Sequence, residues 1–155
     1  MLKGMSETQR ILGLDIGDRR VGIAISDALG NAQPLLTLGR THLRKELRDI
    51  GRILRKHAVT TVVAGNPLFA SGDVSPQAKK VHAFAQAIAD EFQIPVHLQD
   101  ERHSSAAADE VLDRMGHPRG PARKAILDQW SAVVILQDWL DTHPSGSDPA
   151  ADAAV

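Results

Sequence analysis

Apolar residues alternate with small or polar ones in two neighbouring stretches near the start of the chain, ILGLDIG (11–17) and VGIAISD (21–27), with the turn-forming Gly17-Asp18-Arg19-Arg20 between them. A period of two marks half-buried strands, so the pattern predicts a β-hairpin, and QPLLTLG (33–39) supplies a third strand. The period then lengthens. Leu43, Leu47, Ile50 and Leu54 recur at helical spacing behind Thr41, a residue suited to cap a helix. VTTVVAGNPL (59–68) reads as a short buried strand running into a loop. Ser75-Pro76 then signals a helix start, with Ala78, Val81, Ala85, Ile88 and Phe92 on its apolar face. IPVHLQDER (94–102) is the next strand, and Ser104 or Ser105 starts a helix that Gly116 closes after Met115. Beyond the basic loop GHPRGPARK, the residues Ile126, Trp130, Val133, Val134, Gln137 and Leu140 predict a last helix.

The predicted order is three strands, then helix, strand, helix, strand, helix, helix. Alternation in the second half implies parallel strands joined by right-handed crossovers, added to an antiparallel opening. The expected class is α/β, a mixed five-stranded sheet with antiparallel first three strands, then parallel strands, and helices on both faces. One domain over 11–142 suits the length of 155 residues. Residues 1–10 and 143–155 have little to bury and are expected to be flexible tails.

Composition narrows the chemistry. The sequence contains no cysteine, which excludes disulfides and thiolate metal sites and suits a reducing cytoplasm. The start, MLKGMSETQR, lacks the apolar stretch of a signal peptide, and no apolar run is long enough to span a bilayer. A cytoplasmic location is the expectation. The net charge of -1 gives no bulk attraction to nucleic acid, but it conceals a basic helix carrying Arg44, Lys45, Arg48, Arg52 and Arg55. That stripe has two readings, a solvated helix face and a phosphate-contacting one. The seven histidines show no HxxxH pairing of the kind that binds zinc.

Three carboxylates fall where such a sheet exposes them: Asp15 in the first strand, Glu101 at the end of VHLQDE, and Asp128 near the start of the last helix. Carboxylates that cluster repel one another unless a hard cation such as Mg²⁺ or Mn²⁺ joins them, and such ions support phosphodiester hydrolysis. Each also has a plainer reading. Asp15 could pair with Arg19 or Arg20, Glu101 and Asp100 could be strand-end charges, and Asp128 could complement a helix dipole. Adjacent strand residues face opposite ways, so one of Asp100 and Glu101 is expected to face the cluster. Alternation also puts Gly13, Asp15 and Gly17 on one side of the strand, which suggests open room above the aspartate.

Four motifs together carry a resemblance: LGLDIGDRRVGIAISD, VVAGNPL, QDERHSSAAADEVL and KAILDQWSAVVILQDWL. In that order and spacing the chain closely resembles the YqgF family, also called RuvX, of ribonuclease H-like nucleases related to Holliday-junction resolvases. The resemblance spans Ile11 to Leu140. It implies a ribonuclease H-like fold, divalent-metal phosphodiester cleavage with Mg²⁺ or Mn²⁺, and a role in trimming the 5′ end of precursor 16S ribosomal RNA or in resolving branched DNA. Its acidic site falls on Asp15, Glu101 and Asp128, as catalytic residues and metal ligands. Arg102 and Lys124 become candidates for phosphate contact or for support of the acidic residues; Arg20, and Arg44 and Arg48 of the basic stripe, are further candidate nucleic-acid contacts, with RNA favoured over DNA and the chain a monomer or homodimer. Asn66, Asp18, His103 and Ser104 depart from the family pattern; Asp18 adds charge near the site, and His103 could assist proton transfer. Two rival classes remain. Sugar kinases and actin-like ATPases share the Asp-x-Gly hairpin but need a second domain, and a non-catalytic ribosome-assembly factor gains nothing from an acid triad that repels phosphate.

Overall fold

The computed structural model describes residues 9–68, 71–101 and 104–143. Its strands are β1 (Arg10–Ile16), β2 (Arg20–Ser26), β3 (Ala32–Gly39), β4 (Val59–Asn66) and β5 (Val96–Asp100). The helices are α1 (Leu43–Lys56), α2 (Pro76–Phe92), α3 (Ser104–Arg114) and α4 (Arg123–Thr142). They form one five-stranded sheet in the order β3-β2-β1-β4-β5. β1, β2 and β3 pair antiparallel, whereas β1 with β4 and β4 with β5 pair parallel. The expected mixed sheet is therefore present.

Alternation along the hairpin sorts its side chains onto two faces. Leu12, Leu14, Ile16, Val21, Ile23 and Ile25 meet Ile50, Ile53 and Leu54 of α1, and Val81, Phe84 and Ile88 of α2. The opposite face, with Ala24 and Val63, meets Ala132, Val133, Ile135, Leu136 and Trp139 of α4. Burial of a large aliphatic side chain stabilises by about 1.5–3 kcal/mol, so the first cluster dominates the stability.

Helix ends follow local chemistry. Ser75 caps α2 by accepting from the Ala78 N–H at 3.0 Å, while its own hydroxyl donates to the Pro67 carbonyl; a cap of this kind contributes about 1 kcal/mol. His42, rather than Thr41, caps α1, its ring nitrogen accepting from Lys45 N. The Thr41 N–H donates to buried Glu46 at 2.7 Å, while the first helical bond, from the Glu46 N–H, ends on the His42 carbonyl and sets the cap one residue later than expected. Leu43, first of the α1 stripe, is half exposed. On α4 the deepest residues are Ser131, Ala132, Ile135, Leu136 and Trp139, so the packing face is rotated from the expected one. Of the segments expected to be flexible, Arg10 pairs with Val59 in the sheet, and His143 stacks on Trp139 with ring centroids 4.0 Å apart. Residues 1–8 and 144–155 lie outside the described residues.

Candidate active site: carboxylates beneath a close-packed helix

Glycine determines how near α4 comes to the sheet. A Cβ on Gly13 would stand 2.7 Å from the Leu136 Cβ and 3.1 Å from the Ala132 carbonyl oxygen. On Gly22 it would lie 2.0 Å from the Asp128 carbonyl oxygen, and on Gly65 1.9 Å from the Glu101 side chain. These approaches exist only where no side chain intervenes. Gly22 is also the cross-strand partner of Asp15. Removing side chains from β2 and β4 therefore brings Asp128 and Glu101 down beside Asp15. Of the two glycines expected to leave room above Asp15, Gly13 is covered by α4.

The electrostatic consequence is strong. Burial, reinforced by the Asp128 charge, raises the Asp15 carboxyl to about 7. Burial, then Asp15 and Asp100, raises Glu101 to about 8. Both shifts have the sign expected for carboxylates held in low dielectric beside like charges. Glu101 Oε1 is buried and lacks a hydrogen-bond partner among the described residues. Asp128 differs, because Arg20 Nε donates to its Oδ2 at 2.5 Å. The ion-pair alternative considered for Asp15 thus falls to Asp128 as far as Arg20 is concerned.

Backbone contacts fix these groups. The Glu101 N–H donates to the Asn66 carbonyl at 3.2 Å, and the Ser104 N–H and hydroxyl donate to the Glu101 carbonyl. Asn66 Oδ1 meets His82 Nε2 at 3.0 Å. The turn between Asp15 and Arg20 is gripped twice from Arg40, whose N–H donates to the Arg19 carbonyl and whose guanidinium donates to the Gly17 carbonyl at 2.7 Å. Glu46 in turn accepts from Arg40 Nε at 3.0 Å. The first turn of α4 is tied to β3, where Thr37 Oγ1 donates to the Ala125 carbonyl. Buried Arg123 anchors the same turn to α3 through Asp109 and Asp113.

Asp15, Glu101 and Asp128 thus share the α4 side of the sheet, with Arg20 against Asp128 and exposed Lys124 one turn before it. Arg44 and Arg48 do not join them; α1 covers the other face. Asp18 points away as an exposed partner of Lys80, 3.5 Å distant, and Asp100 is exposed. Arg102 and His103 lie outside the described residues. Among the described residues no three acidic or histidine side chains already stand close enough to chelate an ion. Sequence reasoning missed Gly22, Gly65, Arg40 and Arg123. The glycines are visible as breaks in an apolar alternation, whereas nothing in GPARK distinguishes Arg123 as buried.

Fold comparison defines the class first. The Thermus thermophilus RuvC structure in complex with a Holliday junction substrate superposes with a TM-score of 0.54, 14% identity, and coverage of 86% of this chain and 94% of that one. The fowlpox virus resolvase in complex with junction DNA gives a TM-score of 0.55 at 13% identity, covering 86% and 98%. The fold is that of ribonuclease H-like resolvases. Residues 9–142 match the family model RuvX, Holliday junction resolvase, and the chain belongs to that family. Among its relatives, proteins named "Putative pre-16S rRNA nuclease" are 37% identical in Thermoanaerobacter pseudethanolicus (86% of this chain, 97% of the relative) and 41% identical in Chloroflexus aurantiacus (88% and 90%).

Proposed function

We propose that the chain is a nuclease that hydrolyses phosphodiester bonds with Asp15, Glu101 and Asp128 as its acidic site, and that it processes the 5′ end of precursor 16S ribosomal RNA. The observation that carries this reading is the mutually repelling pair Asp15 and Glu101, both held largely out of water, with one Glu101 oxygen lacking a hydrogen-bond partner among the described residues. A structural role would leave such carboxylates paired; here they are held beside one another with charge unbalanced. The relatives' shared name supports RNA as the substrate. Since ribosome assembly occurs in the cytoplasm, that compartment follows, and no helix among the described residues is long and apolar enough to cross a membrane.

The donor set fits a hard divalent cation. Mg²⁺ and Mn²⁺ take oxygen ligands, and Mg²⁺ commonly uses only one or two carboxylates, completing its shell with water and substrate phosphate. Asp15 and Glu101 would hold it, with Asp128 completing the acidic face. When bound, the ion supplies positive charge that acidifies water and offsets the charge developing on phosphorus oxygens. Arg20 keeps Asp128 oriented, and Lys124 offers a cation to the approaching phosphate. In the overall reaction water adds to phosphorus, the bond to one ester oxygen breaks, and that oxygen leaves as a hydroxyl.

The test compares wild type with Asp15→Asn on labelled precursor 16S RNA, single-stranded DNA and a four-way junction, with and without Mn²⁺. Mn²⁺-dependent trimming of the RNA, reduced at least about 10²-fold by the substitution, is expected. Equal cutting by both proteins would reject the acidic site. Preference for the junction would replace RNA processing by junction resolution, and no cutting of any substrate would leave a binding factor.

A further inference from the structure

Two neighbouring hollows that the acidic site does not use lie on the side of the sheet covered by α1 and α2, and the one along α1 is a basic track. A hollow of about 350 Å³ beside the β1–β2 turn is lined by Asp18, Arg40, Leu43, Lys80 and Phe84. A second, of about 500 Å³, lies between α1 and the end of α2, lined by Leu43, Leu47, Phe92 and three arginines, with Glu91 at its rim. Leu43 lines both, so the hollows are neighbours. The arginines are Arg44, Arg48 and Arg55, all exposed and without an ion pair among the described residues. Lys45 and Arg52, by contrast, share Asp49 as their ion-pair partner. With 1.5 Å of rise per residue, Arg44 to Arg55 span about 16 Å along the helix. The first hollow adjoins the turn leading out of Asp15.

We propose that single-stranded nucleic acid flanking the cleaved phosphate passes over the strand ends at the β1–β2 turn and lies in this track, on the face opposite α4. The proposal rests on the nuclease reading for its direction, not for its chemistry. Arginines set beside an apolar floor of Leu47 and half-buried Phe92 combine what a single strand requires, charge for the backbone and flat apolar surface for unstacked bases. A duplex keeps its base faces stacked away from such a floor, and an acidic protein segment has no bases to set on Phe92. Gly51 serves the floor directly, because a Cβ there would come within 2.8 Å of the Phe92 ring.

The experiment measures anisotropy of a fluorescein-labelled 20-nucleotide single-stranded RNA, the matching DNA and a blunt duplex in EDTA, over a salt series. Arg44→Ala/Arg48→Ala/Arg55→Ala is expected to weaken single-strand binding at least tenfold and to lower the salt slope by about 2, the release expected for three lost phosphate contacts. The corresponding triple lysine variant keeps the charge and is expected to retain the slope. Unchanged affinity and slope in the alanine triple would overturn the track. So would a loss confined to the duplex, an equal loss in the lysine triple, or displacement of RNA by polyglutamate as effective as by unlabelled oligonucleotide. Because binding is read without metal, failure of cleavage with Mn²⁺ would remove the nuclease reading and leave this result standing by itself.

Discussion

On the face under α1 and α2 the hairpin presents Leu12, Leu14, Ile16, Val21 and Ile23, none more than 4% exposed. On the face under α4, neighbouring positions of the same strands present Gly13, Asp15 and Gly22. The first face excludes water with bulk; the second admits a helix by omitting side chains and then buries charge beside it. Burying unpaired carboxylates opposes folding, so the α4 side depends on stability generated across the sheet. The same alternation of residues serves both purposes, one parity for the core and the other for the acidic cluster.

Breaking the first face gives the largest expected change. Leu12→Ala is expected to cost about 3 kcal/mol through lost burial and a residual cavity, measured by urea unfolding, while Mn²⁺ still raises the melting temperature of the folded fraction. Gly22→Ala attacks the second face, forcing the α4 backbone at Asp128 outward, and is expected to cost about 2 kcal/mol and to weaken the Mn²⁺ response. Gly39→Ala is its control, since a Cβ there meets nothing within 4 Å, and is expected to change stability by less than about 0.5 kcal/mol. A loss at Gly39 as large as at Gly22 would refute the role given to close helix approach.

Changing pH acts on the charges of the second face. Asp15 and Glu101 hold protons more tightly in the folded chain, near 7 and 8, than at their ordinary values of 3.8 and 4.5 in the unfolded one. Below about pH 4 both states are protonated and the full metal-free stability is present; as pH rises to about 8 the folded state alone retains protons that solution no longer favours, so that stability declines across the window. A divalent ion competes with those protons, and its stabilising effect should therefore grow over the same range. Unfolding midpoints that rise between pH 5 and 8 without metal would contradict the shifts.

Much of this is legible in the sequence. Strict alternation in ILGLDIG and VGIAISD identifies the hairpin, and Ser75-Pro76 identifies a helix start, because local backbone chemistry decides both. The three carboxylates are also legible, as charges at ends of elements that converge. Position and orientation between elements are harder to read. The packed face of α4 departs from the apolar period because its buried residues include Ser131 and Ala132, small enough to fit against a sheet surface that carries glycines. Thr41 resembles a cap, yet the first helical bond ends on the His42 carbonyl and the His42 ring takes the cap role. Arg20 lies across the hairpin turn from Asp15, near enough in sequence to suggest a pair, whereas its partner Asp128 lies 108 residues away.

The central claim is that the α4 face holds carboxylates whose repulsion a divalent cation relieves. Thermal unfolding at pH 8 of wild type, Asp15→Asn and Glu101→Gln, each with EDTA and with Mn²⁺, tests it most directly. The account predicts that both variants melt higher than wild type in EDTA, by roughly 5 °C, because each removes a buried charge. It also predicts that Mn²⁺ raises the wild-type midpoint and leaves the variants nearly unmoved. Variants that melt lower than wild type in EDTA, together with the same Mn²⁺ shift in all three proteins, would contradict it.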